Sequence, residues 1–436
     1  MIYIIADDLT GATDTGVQFS KQGYRTQVVI VTGADFQPIP DTRNVFSETD
    51  VLVIDTETRE ASPSTARHRI RHILEHLPAN EDDIVYKKVD STLRGNIGVE
   101  LDECLNVLHK DVCVFTPSLP ANKRITVEGY LIVQDQPLGL SEYYSGHLAP
   151  EDASYIPNVL ESATDFPIAR IDLKHVMRGE ETILQKLRKL VKAGRKILVV
   201  DAINDTQLQH ILQSCSRFEG SVLYSGSAGL ANAISTGQHD TRQVTIQKPS
   251  PEKSVLIVSG SMNMTTLRQL EYLSASPLLC KISIDVKQLL NQTEACLQQA
   301  RMTTVQALHD GHYALICPDP ACLEEWQSQE LLSEFHLTFR ELGITIRDFL
   351  GRLTSAILEE TQTNKLIVTG GDTAIGVCSA LGLYNLTILD EFLPGIPLSS
   401  GVLKDRRRLN IATKAGGFGE EDALYIVLEK LIRLGK

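Results

Sequence analysis

The chain has 436 residues, enough for two or three domains that each bury a sizeable core. Its net charge of −13 at pH 7 disfavours non-specific attraction to nucleic acid, although a local cluster of lysine and arginine can still hold an anionic substrate. No apolar run approaches the length of a membrane span, and the N-terminal run Ile2–Ala6 lacks a basic leader, so we expect a cytoplasmic protein that binds neither nucleic acid nor membrane.

Short apolar runs alternate with amphipathic stretches along the whole chain. In the first half, the predicted strands are Ile2–Ala6, Thr26–Val31, Val51–Asp55, Ile84–Val89, Asp111–Phe115, Lys196–Asp201 and Val222–Ser225. In the second half, they are Ser254–Ser259, Lys281–Ile284, Tyr313–Cys317, Lys365–Thr369 and Leu386–Leu389. Helices are predicted between most of them, for example over Pro63–Leu77, Val99–Leu108, Glu181–Ala193 and Thr345–Thr361. This alternation predicts an α/β fold in which parallel or mixed sheets are flanked by helices and bind ligands beyond the C-terminal ends of their strands.

A polar segment with two prolines, Gly237–Lys253, interrupts this alternation. Such a composition is typical of a linker. We therefore predict two domains, over residues 1–236 and 254–436, with the active site in the cleft between them.

Two adjacent carboxylates, Asp7 and Asp8, end the first predicted strand. Successive residues of an extended chain point in opposite directions, so we expect one of the two to face a ligand. The alternative is that Asp8 only caps the helix that follows. A phosphatase of the haloacid-dehalogenase type is disfavoured because it needs a second aspartate two residues after the first, and Leu9 and Thr10 occupy those positions.

The loop after the fourth predicted strand combines two lysines, an aspartate, two hydroxyl groups and an arginine within Lys87–Asn96. Such a loop suits a small ligand that carries a carboxylate and hydroxyls. Arg94 is expected to grip the carboxylate with two parallel hydrogen bonds, and Asp90 and Ser91 are expected to bind hydroxyls. The alternative is a solvated turn that begins a helix.

The next strand-end loop, Thr116–Thr126, contains two prolines followed by Lys123 and Arg124. The prolines stiffen the loop. The two basic side chains either meet negative charge on a ligand or are simply exposed, and the residue pattern leaves both alternatives open.

The second half contains two glycine-rich turns, Gly370–Ala374 and Thr413–Gly419. Because glycine has no Cβ, its backbone can approach an anion closely, and successive N–H groups can cradle phosphates. The Walker A, Rossmann, zincin and nucleophile-elbow sequence patterns are absent, which disfavours those enzyme classes. Together with the acidic first loop, the two turns indicate phosphoryl transfer.

These motifs occur with further short stretches in a fixed order along nearly the whole chain: Ile5–Ala12, Lys87–Asn96, Pro117–Arg124, Gly226–Gly229, Ser259–Ser261, Gly370–Ala374 and Thr413–Gly419. In this combination, the chain resembles the four-carbon acid sugar kinase family. The resemblance implies that domain 1–236 binds the acid sugar and that domain 254–436 binds ATP, whose γ-phosphate goes to a terminal hydroxyl of a tetronate. The segment Glu142–Pro157 departs from the family's pattern, and no role is carried over to it.

The resemblance also implies two groups of site residues. The candidates for the substrate site are Asp7, Asp8, Lys87, Asp90, Ser91 and Arg94, and the loop pattern described above adds Lys123 and Arg124. The candidates for the nucleotide site are Ser259, Gly370, Gly371, Asp372, Thr373, Lys414, Gly416 and Gly417. One of Asp7, Asp8 and Asp90 is expected to orient or deprotonate the attacking hydroxyl, with Asp8 favoured, while Mg²⁺ and lysine neutralise the phosphate charge. The sequence identifies no metal ligands.

Among sugar acids, D-threonate is the favoured substrate, ahead of D-erythronate and the 3-oxo acid. The competing hypotheses are a sensor that binds a sugar acid and reports to a partner protein, and a sugar-acid phosphatase or aldolase. A sensor needs an output module, and neither a helix-turn-helix signature nor a basic face occurs in the sequence. A homodimer is left open.

Overall fold

The structure is a computed structural model that describes residues 1–31, 49–80, 82–144, 148–236, 254–322 and 328–434. The chain divides into two compact units, Met1–Gln243 and Val244–Lys436. The predicted linker 237–253 lies outside the described residues, so its boundaries stay a prediction. Within the described ranges, no helix is long and apolar enough to cross a membrane.

The first unit is built on a parallel sheet. Its described strands are β1 (Ile2–Ala6), β2 (Thr26–Ile30), β3 (Val51–Asp55), β4 (Ile84–Lys88), β5 (Val112–Thr116), β6 (Arg124–Val127), β7 (Tyr130–Val133), β8 (Gln136–Pro137), β9 (Ile168–Ile171), β10 (Ile197–Val200) and β11 (Val222–Gly226). Eight of these pair in parallel in the order β2-β3-β1-β4-β11-β5-β10-β9. Strands β1, β3 and β5 are buried along their whole length, as parallel strands covered on both faces should be.

Helices cover both faces of this sheet. They are α1 (Leu9–Ser20), α2 (Pro63–Glu75), α3 (Ile97–Val107), α4 (Pro150–Ser154), α5 (Ile156–Glu161), α6 (Leu173–Val176), α7 (Glu180–Lys192), α8 (Asp205–Ser216) and α9 (Ala228–Thr236), with short 3₁₀ turns at Pro120–Asn122 and Leu138–Leu140. Helices α2 and α3 share a core with Tyr3 and Ile5, whereas α1 packs against α9. The chain thus leaves β1 towards one face and leaves β3 and β4 towards the other, an arrangement that opens a ligand crevice at the strand ends.

A small antiparallel sheet of β6, β7 and β8 follows β5, and the sequence did not predict it. Its strands have four, four and two residues, and its turns need left-handed backbone at Glu128, Gly129, Gln134 and Asp135. Strands this short contain too few residues to show a clear alternation of apolar and polar side chains, so their sequence is typical of a loop.

The second unit contains a mixed sheet. Its described strands are β12 (Leu256–Ser259), β13 (Leu279–Ile284), β14 (Tyr313–Pro318), β15 (Lys365–Thr369), β16 (Asn385–Leu393), β17 (Ile396–Val402) and β18 (Arg408–Lys414). Strands β13, β14, β12, β15 and β18 are parallel neighbours in that order, and β17 and β16 continue the sheet in antiparallel fashion. The prediction of an α/β fold with parallel or mixed sheets and flanking helices is confirmed.

The described helices of the second unit are α10 (Met264–Ser274), α11 (Val286–Asn291), α12 (Thr293–His309), α13 (Gln329–Glu334), α14 (Phe339–Glu360), α15 (Gly371–Leu381) and α16 (Ala423–Arg433), with a 3₁₀ turn at Pro320–Cys322. Helix α14 begins at Phe339 rather than at the predicted Thr345, because Thr338 and Glu341 form a capping box. Strands β17 and β18 were not predicted. Strand β18 contains charged and polar residues, and it is buried because it pairs with β15 and β17 on both sides.

Candidate functional site

An acidic cluster in the first unit is organised by Arg59, a residue that the sequence did not single out. Arg59 Nε donates to Asp7 Oδ2 at 2.8 Å, and Nη2 donates to Asp7 Oδ1 at 2.9 Å and to Asp8 Oδ1 at 2.7 Å. Arg59 Nη1 also pairs with Asp8 Oδ2. The two adjacent carboxylates therefore bind one guanidinium group, and the expectation that one of them faces a ligand stays a prediction.

Asp8 has a second role in the same loop. Its backbone is extended, and its side chain accepts a hydrogen bond from the backbone N–H of Gly11 at 2.8 Å, which caps helix α1. The capping role that sequence reasoning offered as the alternative is thus present together with the ion pair to Arg59. The Asp8 side chain keeps 18% of its surface exposed, compared with 2% for Asp7. Of the two carboxylates, Asp8 is the more accessible to a ligand.

Asp90 joins the cluster from the loop after β4. Its carboxylate accepts from Arg94 Nε at 2.7 Å and from Arg94 Nη2 at 3.1 Å, and it lies 3.9 Å from Arg59 Nη2. One edge of the Arg94 guanidinium is therefore occupied by Asp90. The expected two-bond grip of a substrate carboxylate by that edge is not available in this geometry. Arg94 is half exposed, and its Nη1 group is the part that remains to meet a ligand.

The neighbouring lysines Lys87 and Lys88 have different surroundings. Lys87 has no exposed surface, and its Nζ donates to Lys88 O at 2.8 Å and pairs with Glu100 Oε2 at 2.8 Å. Lys88 Nζ instead lies 2.7 Å from where a Cβ on Gly11 would be, and among the described residues it donates no hydrogen bond. The predicted substrate contact by Lys87 is therefore corrected: Lys87 holds the loop from beneath, and Lys88 is the lysine at the site.

The three carboxyl groups of the cluster differ in their affinity for protons. Burial tends to raise the pKa of Asp7, but the positive charges of Arg59, Lys87 and Lys88 together outweigh it and the pKa is lowered. Burial is likewise outweighed at Asp90, where Arg94 and Arg59 hold the pKa well below its usual value. At Asp8, burial outweighs the attraction of Arg59, and repulsion from Asp7 adds to it, so the pKa is raised. Asp8 is the group of the three that most readily accepts a proton.

The basic pair of the Thr116–Thr126 loop is split by the fold. Lys123 is exposed and has left-handed backbone, with φ at 53°, whereas Arg124 is buried at the start of β6. Arg124 Nη1 donates to Ser91 Oγ, and its guanidinium lies over the ring of Tyr143 at 5.4 Å from the centroid. Burial lowers the pKa of Arg124. Arg124 and Ser91 thus border the acidic cluster, and Lys123 does not contribute to it.

In the second unit, three glycine-containing loops converge. A Cβ on Gly416 would lie 2.6 Å from Ser261 Oγ, which follows β12. A Cβ on Gly370 would lie 3.5 Å from the backbone nitrogen of Ser261 and 3.0 Å from Thr373 Oγ1. A Cβ on Gly260 would meet Thr373 Oγ1 at 2.4 Å. The ends of β12, β15 and β18 are neighbours in the parallel sheet, and the loops that follow them can approach this closely because glycine occupies each of these positions.

Helix α15 starts within this group of loops. Its N-cap is Gly370, which has a φ of 105° and supplies no side-chain capping bond. Gly371, Asp372 and Thr373 form the first turn, in which Asp372 is exposed and Thr373 is buried. The first N–H groups of a helix carry partial positive charge and have no partner within the helix, so this end is suited to bind an anion.

Lys414, which was predicted to contact phosphate, points into the glycine-rich turn instead. Its Nζ donates to the carbonyl oxygens of Ala415, Gly416 and Phe418 at 2.8, 3.0 and 3.1 Å. The side chain is 1% exposed, and burial lowers its pKa to about 7. In this geometry, Lys414 shapes the turn from the inside and does not offer its ammonium group to a ligand.

Lys414 ends a row of polar residues across three strands. Ser259 on β12 is the register partner of Thr369 on β15, and Thr369 is the partner of Lys414 on β18. Ser259 Oγ and Thr369 Oγ1 are buried and have no hydrogen-bond partner within the described part of the chain. Buried hydroxyls without partners are costly, so their presence at strand ends is better explained by a polar ligand or water than by packing.

Sequence reasoning missed Arg59, Lys88, Ser261 and Thr369. Each lies at or just after the C-terminal end of a strand, and that position was the available signal. Among the described residues, no cluster of three or more His, Cys, Asp or Glu side chains is arranged to hold a metal ion.

Comparison with known proteins assigns the family. A family model described as a sugar-binding N-terminal domain matches residues 2–234, and one described as a nucleotide-binding C-terminal domain matches residues 256–424. The chain is 32% identical over 435 residues to a D-threonate kinase of Salmonella typhimurium, which covers 98% of each chain. It is 28% identical to a D-erythronate kinase of Heliobacterium modesticaldum over 99% of this chain and 97% of that one. The protein belongs to the four-carbon acid sugar kinase family and is a phosphotransferase.

Solved structures support the same fold. A crystal structure of a Haemophilus influenzae protein matches with a TM-score of 0.73 and 23% identity, covering 99% of this chain and 100% of that chain. A Salmonella typhimurium structure matches with a TM-score of 0.76 and 22% identity, covering 99% of each chain. At these identities, the comparison establishes the shared fold.

Proposed function

We propose that the protein transfers the γ-phosphoryl group of ATP to a terminal hydroxyl of a four-carbon sugar acid. The observation that carries the proposal is the placement of the two clusters. The Arg59 cluster lies in the unit matched by the sugar-binding model, and the converging glycine loops lie in the unit matched by the nucleotide-binding model. D-Threonate is the first substrate to test, because a D-threonate kinase is 32% identical to this chain. D-Erythronate and 3-oxo-tetronate are the alternatives.

The acid is proposed to bind beside the loops after β1 and β4. Lys88 Nζ, the Nη1 group of Arg94 and the buried Arg124 bring positive charge to this region, where a carboxylate needs it. Arg59 is already bonded to Asp7 and Asp8, so its role is to fix the carboxylates and to limit their mutual repulsion.

Asp8 is proposed to be the general base. As the bond forms between the sugar hydroxyl oxygen and the γ-phosphorus, the bond from that phosphorus to the β,γ-bridging oxygen breaks, and ADP leaves. The hydroxyl proton passes to Asp8, whose raised pKa and partial exposure favour this role over Asp7 and Asp90.

The nucleotide phosphates are proposed to lie against Gly370, Gly371, Gly416, Gly417 and the first turn of α15. The fit rests on the absence of Cβ atoms where loops approach closely, on the uncapped helix end and on the buried hydroxyl of Ser259. Mg²⁺ is expected to arrive with ATP and to neutralise charge on the phosphates, with the exposed carboxylate of Asp372 as the protein oxygen available beside the loops.

The test is an ATP-consumption assay with D-threonate, D-erythronate and 3-oxo-tetronate, followed by ³¹P NMR of the product to locate the new phosphoester. We expect ADP formation that depends on one of the acids, with the phosphate on the terminal carbon. The Asp8→Asn variant, purified in parallel, controls for contaminating kinases. If nucleotide binds but none of the three acids stimulates ADP formation, the proposed substrate class is wrong. If the protein binds an acid but has no affinity for nucleotide, the result would instead favour the competing hypothesis of a non-enzymatic sensor of sugar acids.

A further inference from the structure

The glycine-rich turn after β18 is held almost entirely through its carbonyl oxygens. From helix α10, Gln269 Nε2 donates to Phe418 O at 3.0 Å, to Gly419 O at 3.0 Å and to Glu420 O at 2.8 Å. One side-chain amide thus contacts three consecutive carbonyl groups.

Two other side chains complete the pattern. Thr266, one helical turn earlier in α10, donates from Oγ1 to Gly416 O at 2.8 Å. Lys414 Nζ bonds the carbonyl oxygens of Ala415, Gly416 and Phe418. Because the C=O and N–H groups of a peptide plane point in opposite directions, drawing the carbonyls inward turns amide groups outward. The N–H groups of Gly416 and Gly417 have no hydrogen-bond partner in the described structure.

We propose that Gln269 is a positioning residue for nucleotide binding. It anchors the C-terminal part of the turn through the carbonyls of residues 418–420, and this anchor keeps in place the preceding part, where Lys414 and Thr266 bind the carbonyls of Ala415 and Gly416 and thereby present the N–H groups of Gly416 and Gly417 to phosphate. This inference rests on the proposed function, because it takes ATP as the ligand of the turn. Gln269 itself touches no substrate, since it is fully buried beneath the loop.

Packing alone does not account for a glutamine at this position. Gln269 Oε1 is buried and has no hydrogen-bond partner among the described residues, which is a cost that an apolar side chain of similar length avoids. The amide nitrogen, Nε2, donates only to carbonyl oxygens of the turn. The residue is therefore suited to hold the turn rather than to stabilise the core.

The test compares the variant Gln269→Met with the control variant Glu271→Gln, which changes an exposed residue of the same helix. Methionine keeps the length of the side chain but donates no hydrogen bond. We expect the Kd for ATP, measured by calorimetry, and the KM for ATP to rise roughly tenfold or more in Gln269→Met. The KM for the sugar acid and the melting temperature should stay close to wild type, and Glu271→Gln should match wild type throughout.

A second variant, Gln269→Glu, places a carboxylate against three carbonyl oxygens and should weaken ATP binding further. If Gln269→Met does not fold, Thr266→Val replaces it, because that change removes the bond to Gly416 O and the long bond from Lys414 Nζ but leaves the other carbonyl contacts of the turn in place. Wild-type ATP affinity in folded Gln269→Met or folded Thr266→Val overturns the inference.

A parallel loss of both substrate affinities and of thermal stability also overturns it, because that result identifies a general structural role. Failure of the wild-type protein to bind ATP would refute the proposed function itself, and the two failures are thus distinguishable.

Discussion

Lys87 and Glu100 form an ion pair beneath the acidic cluster, with 2.8 Å between Nζ and Oε2 and with side-chain exposures of 0% and 1%. A buried pair of this kind contributes less than its geometry suggests, because both charges have lost their hydration. Removing one partner, however, leaves the other charge buried and uncompensated. The pair therefore gives a direct test of whether Lys87 supports the loop or binds the substrate.

We expect Lys87→Met to lower the free energy of unfolding by roughly 3–5 kcal/mol, as measured by urea titration, because Glu100 then lacks its partner. The double variant Lys87→Met/Glu100→Gln should recover part of this loss. A stable Lys87→Met protein with a raised KM for the sugar acid would contradict the supporting role and restore the original prediction from the sequence.

Replacing Lys88 should affect substrate binding more than stability. Lys88→Met is expected to raise the KM for the sugar acid about tenfold or more, since a charge-assisted contact is lost, while the Kd for ATP stays unchanged. The free energy of unfolding should fall less than in Lys87→Met, because Lys88 acts on Asp7 and Asp8 through its charge and not through a buried ion pair. The exposed Lys123→Met serves as a charge-matched control in the same unit. An unchanged KM for the acid in Lys88→Met would remove this residue from the site.

Asp8→Asn should lower kcat by ~10²–10⁴, because the general base is lost. Asparagine still caps helix α1, so the melting temperature should change little. Asp7→Asn and Asp90→Asn are measured beside it, and their lowered pKa values predict smaller effects on proton transfer. Near-normal turnover in all three variants would eliminate a carboxylate base and leave positioning and charge neutralisation as the basis of catalysis.

Gly416→Ala should weaken ATP binding while the protein stays folded. The new Cβ would lie 2.6 Å from Ser261 Oγ and displace the turn from the end of β12. The matched control is Gly343→Ala in helix α14, where a Cβ would meet nothing within 4 Å, and alanine there should be neutral or slightly stabilising. Equal ATP affinity in the two variants would show that the turn does not contact the nucleotide.

Nucleotide affinity should fall as the pH rises above neutrality. Lys414 has a pKa lowered to about 7, and the negative charge of bound phosphates should raise it. Between the two pKa values, the complex holds one more proton than the free protein, so binding takes up a proton and weakens with increasing pH. Calorimetry from pH 7 to 9 in buffers of different ionisation enthalpy measures this uptake. Lys414→Met should abolish the effect, and proton uptake of wild-type size in that variant would exclude Lys414 as its source.

The strand cores, the α/β fold class and the positions of the strand-end loops could be predicted because they depend on local patterns. Strands such as Val51–Asp55 and Lys365–Thr369 have the bounds that their apolar runs predicted. Strand β18 could not be predicted, since its burial comes from neighbours on both sides. The same limit applies to the site: Arg59 is separated from Asp7 by 52 positions, and only the pairing of β1 with β3 brings them together.

The sequence by itself determined the fold class and the loops in which polar and glycine residues collect, because composition and spacing along the chain carry that information, and the resemblance of its motifs indicated the family. The tertiary structure decided how individual side chains are used. It buries Lys87 against Glu100 and leaves Lys88 at the site, and it turns Lys414 away from the ligand side of the glycine turn. These outcomes depend on which groups meet across distant segments, where burial and partner charges set the direction of each side chain and its affinity for protons.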